Sequence, residues 1–560
     1  MKIRHFFSII AAMLTRASVL ISLTGFSTVA LAAVPQKING LGSLSFPTST
    51  QSAAAQTAFN KGMLLLHLFE YQNAEKSFQE AQKIDPGFAM AYWGEAMTAT
   101  HPVWNQQNMD LGRAALAKLA PTPKERAEKA KTEKEKAWLA TTEMMYGEGS
   151  KLQRDQQLLA AMQRMSEQFP ADDEVKLFYS LALLGVSQGD RNIPNFLKAA
   201  EIAKAVYTRN PDHPGAAHYW IHGLDDPEHA AGALVAANSL AKIAPTAGHA
   251  QHMTAHIFMA LGMWDEVVQS NESAIRVVRA ETLAQKLPVV AHCGHYGEWL
   301  QYTYLQQGRL VQAQELFDTC RKESAVAYAW YQAHPDKLLR RTPAQFKSRI
   351  ARSLISMQAA ALVDAPSLQP QNLLIDLDHA DVGRDIGAEY FSHGYAALNQ
   401  GQMATAETAL LSLQSISRQP AAKDEEARMT DYLKIMADSL EAAILQRKGQ
   451  TEQALSLAAK AAANFDAMPF DFGPPVTIKP PHELRGELLL LAGKPAEALL
   501  EFDLALKTAP NRAQAMLGRG QALQQSGDKA GAIKAAAALL LVWRHADANL
   551  AELNKLRSLR

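Results

Sequence analysis

The sequence carries almost no net charge. Lysine and arginine together number 56, and aspartate and glutamate together also number 56. Loss of an N-terminal signal, argued below, would remove Lys2, Arg4 and Arg16 and no acidic residue, which leaves a slight acidic excess. Proteins that bind nucleic acids usually carry a basic excess or a basic patch. The composition therefore argues against a nucleic-acid partner.

Long hydrophobic runs are missing after the N-terminal region. The first residues have the pattern of an export signal, with a basic start at 1–4, apolar residues through 9–26 and a small-residue cleavage motif at 30–32. Arg16 interrupts the apolar stretch, which favours a cleaved signal over a retained membrane anchor. We predict a signal peptide over 1–32 and an exported protein, periplasmic or secreted, without stable membrane insertion after cleavage.

Cysteine is scarce, with Cys293 and Cys320 as the two members. An exported protein meets an oxidising compartment, where a disulfide is stable. The two residues fall at ends of a predicted helical hairpin that lie close together, so they can form a disulfide. Alternatively, Cys293 binds a metal together with its neighbours His292 and His295. The sequence leaves both alternatives open.

Common catalytic motifs are also missing. The chain has no G-x-S-x-G elbow, no phosphate-binding glycine loop, no dinucleotide fingerprint and no H-E-x-x-H zinc motif. We therefore expect no nucleotide cofactor. Whether the protein is an enzyme stays open, because a fold built from repeats says little about chemistry.

Strand-like alternation of apolar and polar residues is absent, and helical repeats take its place. Two segments carry the small and aromatic residues of the tetratricopeptide repeat (TPR) at the required spacing. They are GELLLLAGKPAEALLEFDLALKTAPNR, with Gly486, Gly493, Ala498, Phe502, Ala505 and Pro510, and FNKGMLLLHLFEYQNAEKSFQEAQKIDP, with Gly62, Ala74, Phe78, Ala81 and Pro86. We predict an all-α solenoid of TPR-type helical hairpins, a right-handed superhelix whose core forms between stacked repeats.

Departures from the repeat period suggest a division into two lobes. We predict a flexible N-terminal segment over 33–54, an N-terminal TPR lobe over 55–332, an irregular connection over 333–386 and a C-terminal TPR lobe over 387–560. The connection contains Pro335, Pro343, Pro366 and Pro370.

Histidines recur with the 34-residue period of the repeat. Each pair is spaced i, i+4, so both imidazoles lie on one face of a helix, and the period carries that face onto the next repeat. The members are His218 and His222 in one unit and His249, His252 and His256 in the next; the equivalent positions of a third unit hold His295, Glu298 and Tyr302.

These side chains predict a transition-metal site. Packed helices lie roughly 8–10 Å apart, so imidazoles from neighbouring helices can share an ion. Nitrogen donors with one carboxylate suit copper, zinc, iron or nickel rather than calcium or magnesium. One ion between two helices and a two-metal site are both open. Asp225 and Asp226 can orient the imidazoles through hydrogen bonds.

A metal would also give two neighbouring residues catalytic roles. Glu298 could act as general base on a metal-bound water, and Tyr302 could donate to a developing anion. The alternative is a TPR scaffold that holds a peptide or protein partner in the same groove, with no metal and no catalysis. In that case the histidines are hydrogen-bonding lining.

Four segments resemble a family of exported bacterial TPR proteins: YWGEAMTATHPVW, HPGAAHYWIHGLDDPEHA, HAQHMTAHIFMALGMWDEV and FGPPVTIKPPHELRGELLLLAGKPAEALLEFDLALKTAPNR. The resemblance implies a TPR solenoid in which the histidine positions face a concave groove, and it implies no particular reaction. Thr254 departs from the family, which commonly has proline there. The last segment adds a candidate polar patch, Glu483, Arg485 and Glu487.

The other histidines carry less information. His67 and His101 also lie 34 residues apart and either extend the groove wall or pack in an aromatic core, the second being favoured. We expect structural roles for His393, His482 and His545, which have no counterpart in a neighbouring repeat.

Overall fold

Helices make up most of the described chain. The computed structural model describes residues 35–187, 191–338, 341–375, 382–420 and 424–557. The first half holds α1 (Ala53–His67), α2 (Tyr71–Ile84), α3 (Ala89–Met97), α4 (Met109–Leu119), α5 (Pro123–Lys129), α6 (Glu133–Met145), α7 (Lys151–Gln168), α8 (Asp173–Val186), α9 (Ile193–Arg209), α10 (Pro214–Gly223), α11 (Leu234–Ile243), α12 (Gly248–Ala260) and α13 (Trp264–Ala284).

The second half continues in the same way, and successive helices pack against each other along the chain. Its helices are α14 (His295–Gln306), α15 (Leu310–Ala333), α16 (Pro343–Asp364), α17 (Ile386–Asn399), α18 (Met403–Ser417), α19 (Asp424–Arg447), α20 (Thr451–Asp466), α21 (Pro481–Leu491), α22 (Pro495–Thr508), α23 (Ala513–Gln525), α24 (Lys529–Val542) and α25 (Glu552–Arg557). The predicted all-α helical-hairpin solenoid is confirmed.

Local sequence explains where several helices begin. Thr122 and Thr342 each accept a hydrogen bond from the backbone three residues on, and the glutamate or glutamine at that position bonds back to the threonine backbone. Proline follows each threonine at the first helical position, where no backbone donor is needed. These capping boxes fix the start of α5 and α16.

Small residues let neighbouring repeats approach an aromatic ring. Phe78 of α2 lies between Gly62 of α1 and Gly94 of α3, and a Cβ on Gly62 would meet the ring at 2.6 Å. Gly486 and Gly518 flank Phe502 in the same way near the other end of the chain. Gly62 and Gly486, which mark the repeats in the sequence, are therefore positions where no side chain fits.

Short strands precede and interrupt the helices. β1 (Gln36–Ile38) pairs antiparallel with β2 (Gly42–Leu44), and β3 (Thr100–His101) pairs with β4 (Gln106–Gln107). The described part of the segment over 33–54 thus differs from the flexible chain expected. The reason is burial: Phe46 packs 5.1 Å from Phe59 and 5.5 Å from Trp138, measured between ring centroids.

The C-terminal helices return to the middle of the chain. Trp264 Nε1 donates to the carbonyl of Asn511 at 2.9 Å, and the backbone amide of Asp547 donates to the carbonyl of Gly308 at 3.0 Å. Residues 35–560 form one compact unit. The connection expected over 333–386 contains the long helix α16, Pro343–Asp364, so it is less irregular than its prolines suggest.

Cys293 and Cys320 form a disulfide with Cα atoms 5.0 Å apart. The bond joins the start of α14 to α15. His292 lies beside it and bonds through Nδ1 to Glu323 Oε1 at 2.9 Å. The alternative in which Cys293 is a metal ligand beside His292 is therefore not the one found.

None of the described helices is both long and apolar enough to cross a bilayer. The predicted signal peptide over 1–32 lies outside the described residues.

Candidate metal centre

Six histidines form a continuous row across α10, α12 and α14. Neighbouring imidazole centroids in the row lie 4.5–5.6 Å apart. His218 and His222 are 4.8 Å apart, His218 and His249 5.1 Å, His222 and His256 5.6 Å, His252 and His256 5.1 Å, and His252 and His295 4.5 Å.

In this way the imidazoles of α10, α12 and α14 form one continuous line.

The row divides into two groups of three. One ring nitrogen from each of His218, His222 and His249 lies within 4.8 Å of the others, and the same holds for His252, His256 and His295. Each group draws its members from two neighbouring helices, α10 with α12 and α12 with α14. The spacing of the histidines in the sequence thus yields two clusters rather than one. We call them the first and the second histidine group.

Four of these histidines have a buried nitrogen without a hydrogen-bond partner. They are the Nε2 atoms of His218, His222, His249 and His252. His218 and His252 are fully buried, with 0% of their surface exposed. A buried polar atom that makes no hydrogen bond costs roughly 1–3 kcal/mol. A row of such atoms on adjacent side chains is therefore unusual in a protein interior.

The opposite nitrogen of several rings is held by an acceptor. His218 Nδ1 donates to the carbonyl oxygen of His67 at 2.6 Å, and His252 Nδ1 donates to Asn271 Oδ1 at 2.7 Å. Asn271 is itself oriented, because its Nδ2 donates to the carbonyl of Val267 at 3.0 Å. An acceptor at Nδ1 fixes the hydrogen there and leaves the lone pair on Nε2. Metal-binding histidines are commonly held in this way.

Asp225 lies between the two histidine groups and faces the Nδ1 atom of one imidazole from each group. Its Oδ2 lies 3.1 Å from His256 Nδ1 and 3.6 Å from His222 Nδ1. Its Oδ1 accepts from Arg191 Nη2 at 2.7 Å. Burial opposes ionisation of Asp225, but the charge of Arg191 outweighs it and holds the pKa of the carboxyl well below its usual range. Asp226 lies one residue further and bonds His229 Nδ1 at 2.8 Å.

Burial keeps the imidazoles in the form that binds metals. It lowers the pKa of His218, His249 and His252 well below 6.5, and the neighbouring imidazoles lower it further. Burial also lowers the pKa of His256, although Asp225 opposes this. These rings are neutral at neutral pH and have a lone pair available for an ion.

The second histidine group opens onto a cavity of about 500 Å³. His295, the exposed member of its group, lines this cavity together with Glu298, Trp299 and Tyr302. The segment after α20 closes one side, where the ring of Phe472 lies 4.8 Å from that of His256. The second group therefore adjoins, through His295, a partly open cavity large enough for a small molecule.

Glu298 and Tyr302 line the cavity but stand apart from the histidine groups. The carboxyl of Glu298 is hydrogen-bonded to Ser353 and Ser356, and burial raises its pKa. The hydroxyl of Tyr302 accepts from Arg512 Nη1 at 3.0 Å. Among the described residues, neither joins the sets of three donors that lie close enough to share an ion.

Sequence reasoning missed a third cluster beside the first group. His67 Nε2 lies 2.8 Å from Glu174 Oε2, and His213 Nε2 lies 2.9 Å from Glu174 Oε1. The other nitrogen of His67 lies 2.9 Å from the hydroxyl of Tyr219. Because these partners satisfy one another, the cluster is a buried hydrogen-bond network. No sequence signal links Glu174 to these histidines, which lie in other repeats.

The polar patch expected around α21 is an internal ion network. Arg512 Nε donates to Glu483 Oε2 at 2.7 Å, and Lys479 Nζ lies 2.7 Å from Glu483 Oε1 and 2.6 Å from Glu487 Oε1. Arg485 pairs with Glu501 at 2.7 Å. The network joins the C-terminal repeats to one another, so its role is in packing.

The remaining histidines have ordinary partners. His482 bonds Glu501 through Nδ1 at 2.7 Å and Asp466 through Nε2 at 2.9 Å. His393 Nε2 lies 3.4 Å from Gln358 Nε2, and His545 is largely exposed. His101 stacks on Tyr71 with ring centroids 3.9 Å apart.

Comparison with known proteins finds one family match and several solved structures with low similarity. Residues 55–88 match the tetratricopeptide repeat. Solved structures that resemble the chain include a human IFIT1 dimer with m7Gppp-AAAA, at 12% identity over 88% of this chain and 91% of that one, with a TM-score of 0.34. Yeast Tom70 is 14% identical over 90% of this chain and 94% of that one, with a TM-score of 0.25. No curated protein matches.

Proposed function

We propose that this TPR-type solenoid binds transition-metal ions in its two histidine groups. The observation that carries the proposal is the row of buried Nε2 atoms without hydrogen-bond partners, with Nδ1 anchored on His218 and His252. Side chains that only fill a core would leave these nitrogens unsatisfied at a cost in stability. An ion shared by three lone pairs removes that cost.

The donor set indicates which metals fit. Each group offers three imidazole nitrogens, a set suited to zinc, copper, iron or nickel. Three protein ligands would leave a coordination position open, and His295 of the second group lines the cavity from which a further ligand could come. A bound ion there would act as a Lewis acid toward a ligand or a water molecule. Asp225 would orient the imidazoles of His222 and His256 and offset part of the positive charge.

The alternative, a scaffold that binds a peptide along the histidines, has less support. His218 and His252 expose no surface, and His222 and His256 expose 3% each. An extended peptide would need these side chains to be accessible. The TPR architecture remains compatible with a protein partner on other surfaces.

Metal analysis of the purified protein tests the proposal. The protein would be prepared without a metal-affinity step, stripped with a chelator, and reloaded separately with Zn²⁺, Cu²⁺, Fe²⁺ and Ni²⁺. We expect about two ions per chain, one for each three-histidine group. His249→Ala should remove the ion of the first group, and His252→Ala with His256→Ala should remove that of the second.

A matched control is His545→Ala, which removes a histidine that is 53% exposed. This variant should keep the full metal content. Circular dichroism would show whether each variant is folded. Folded wild-type protein that binds none of the four ions would refute the proposal, and unchanged metal content in the histidine variants would place the ions elsewhere.

We also propose that the protein is exported. The N-terminal pattern over 1–32 supports this, and so does the disulfide, since such bonds persist mainly in oxidising compartments. Cell fractionation with mass measurement of the purified chain tests it. A chain beginning at Ala33 outside the cytoplasm is the expected result, and a cytoplasmic chain that keeps Met1 would contradict it.

A further inference from the structure

The cavity beside the second histidine group is lined by several charged side chains, and most of them have partners within the protein. Arg352 Nε lies 2.8 Å from Asp385 Oδ2. Arg384 donates to the carbonyl oxygens of Ile416 at 3.3 Å and Pro420 at 2.9 Å. These two guanidinium groups are therefore committed to partners within the protein.

The acidic side chain nearest His295 is also occupied. The carboxyl of Glu298 bonds Ser353 and Ser356, and burial raises its pKa. A carboxyl held in this way contributes less negative charge to the cavity than a solvated one. One further cation lines the cavity.

That cation is Arg349 of α16. Within the described part of the chain its guanidinium has no hydrogen bond or ion pair, although its charge acts on the Glu298 carboxyl and on the His295 imidazole. A Cβ built on Gly294 would lie 3.8 Å from Arg349 Nη2, which places the guanidinium beside the residue that precedes His295. Gly294 has φ of +77°, a conformation that favours glycine, and no side chain there separates the two. Arg349 and His295 thus line the same part of the cavity.

The rest of the wall is largely apolar. Trp299 and Phe472 contribute aromatic rings, and Met429 and Met436 contribute flexible thioethers. Such a wall suits a small ligand with an apolar body and does not suit a highly charged one. A single unpaired guanidinium matches one carboxylate, which it can bind through two parallel hydrogen bonds.

We propose that the cavity binds a small carboxylate with an apolar body. The carboxylate pairs with Arg349 and supplies an oxygen to the ion held by His252, His256 and His295, while the apolar body packs on Trp299. This inference rests on the proposed metal site for its second contact. The pairing with Arg349 requires no metal.

Cobalt substitution with benzoate as the probe tests the inference. Co²⁺ bound by imidazoles absorbs visible light, and the bands shift when another ligand enters the coordination sphere. Benzoate should shift the spectrum of Co²⁺-loaded protein in a saturable way at neutral pH. Arg349→Gln should weaken benzoate binding by about tenfold or more, as expected for loss of a charge-assisted hydrogen bond.

The matched control is Arg276→Gln on α13, which removes an exposed arginine that bonds Ser273 and does not line the cavity. Its benzoate affinity should stay within about twofold of the wild type, because surface charges remote from a site contribute little. Co²⁺ that binds but does not respond to benzoate would overturn the inference while leaving the metal proposal intact. Equal affinity in Arg349→Gln and wild-type protein would overturn it as well.

If no Co²⁺ binds, the proposed function fails and the cavity is tested separately. Calorimetry of metal-free protein with benzoate would then decide. Heat of binding that disappears in Arg349→Gln would support the carboxylate site without the metal, and no heat of binding in the wild type would overturn it.

Discussion

Acidification should destabilise the metal-free protein steeply, starting near the pKa of free histidine. The perturbation is a change from pH 7.5 to pH 5 after chelation. Burial lowers the pKa of His218, His249 and His252 well below 6.5 in the folded state. In the unfolded chain the same imidazoles take up protons near pH 6.5. The unfolded state therefore binds more protons below that pH, and stability falls as pH falls.

The magnitude follows from the number of groups. Each imidazole that stays neutral in the folded state and is protonated in the unfolded state contributes about 1.4 kcal/mol per pH unit. These three groups alone give a slope of about 4 kcal/mol per pH unit below about pH 6, and His67, His256 and His295, whose pKa values burial also lowers, make it steeper. This is a large share of a typical folding free energy of about 5–15 kcal/mol. Glu174, whose burial is outweighed by His67 and His213 so that its pKa falls to about 2, adds a loss only below about pH 4.5.

Urea unfolding of chelated protein at several pH values between 7.5 and 5 measures the slope. His252→Gln removes one titrating group and should reduce the slope by about 1.4 kcal/mol per pH unit. His545→Gln, at an exposed site, should leave it unchanged. A free energy of unfolding that is flat from pH 7 to 5.5, or a slope that His252→Gln does not change, would refute the reasoning.

Three further predictions concern stability. Replacing Cys293 and Cys320 together by serine should lower the free energy of unfolding by about 3–4 kcal/mol, the chain-entropy value for a loop of this length, measured by denaturant unfolding. Gly518→Ala should cost about 1–3 kcal/mol, because its Cβ would collide with Phe502, and an unchanged melting temperature would contradict the packing. Arg512→Met should cost about 3–5 kcal/mol, because it leaves the buried Asp364 carboxylate without its ion-pair partner and leaves Glu483 paired with Lys479 alone, and its metal content should match the wild type if the protein folds.

The repeat architecture could be predicted because its signals are local. A glycine at the contact position and an aromatic residue in the following helix identify each hairpin, and Phe78 between Gly62 and Gly94 shows why those residues are needed. The i, i+4 spacing likewise places both imidazoles of a pair on one face of a helix, because that face is set by local helix geometry alone. Local periodicity thus carried the prediction of the solenoid and of the histidine row.

Other features depend on contacts between distant parts of the chain. The partner of His67 and His213 is Glu174, and the ring that covers His256 is Phe472. Which residues meet across the solenoid depends on how each repeat is rotated against the next, and small rotations accumulate over many repeats. The hairpin of β1 and β2 could not be predicted for a related reason, since strands of three residues are too short to show alternation.

The segment that contains Phe472 covers one side of the second histidine group. All six histidines of the row are synthesised well before Phe472, which lies against His256 in the finished protein. While the chain is growing, the imidazoles of α10, α12 and α14 can come together before the closing segment exists. An ion bound as we propose could therefore reach its ligands during folding, ahead of the wall formed by Phe472. Once that wall is in place, such an ion would exchange through the cavity that His295 lines.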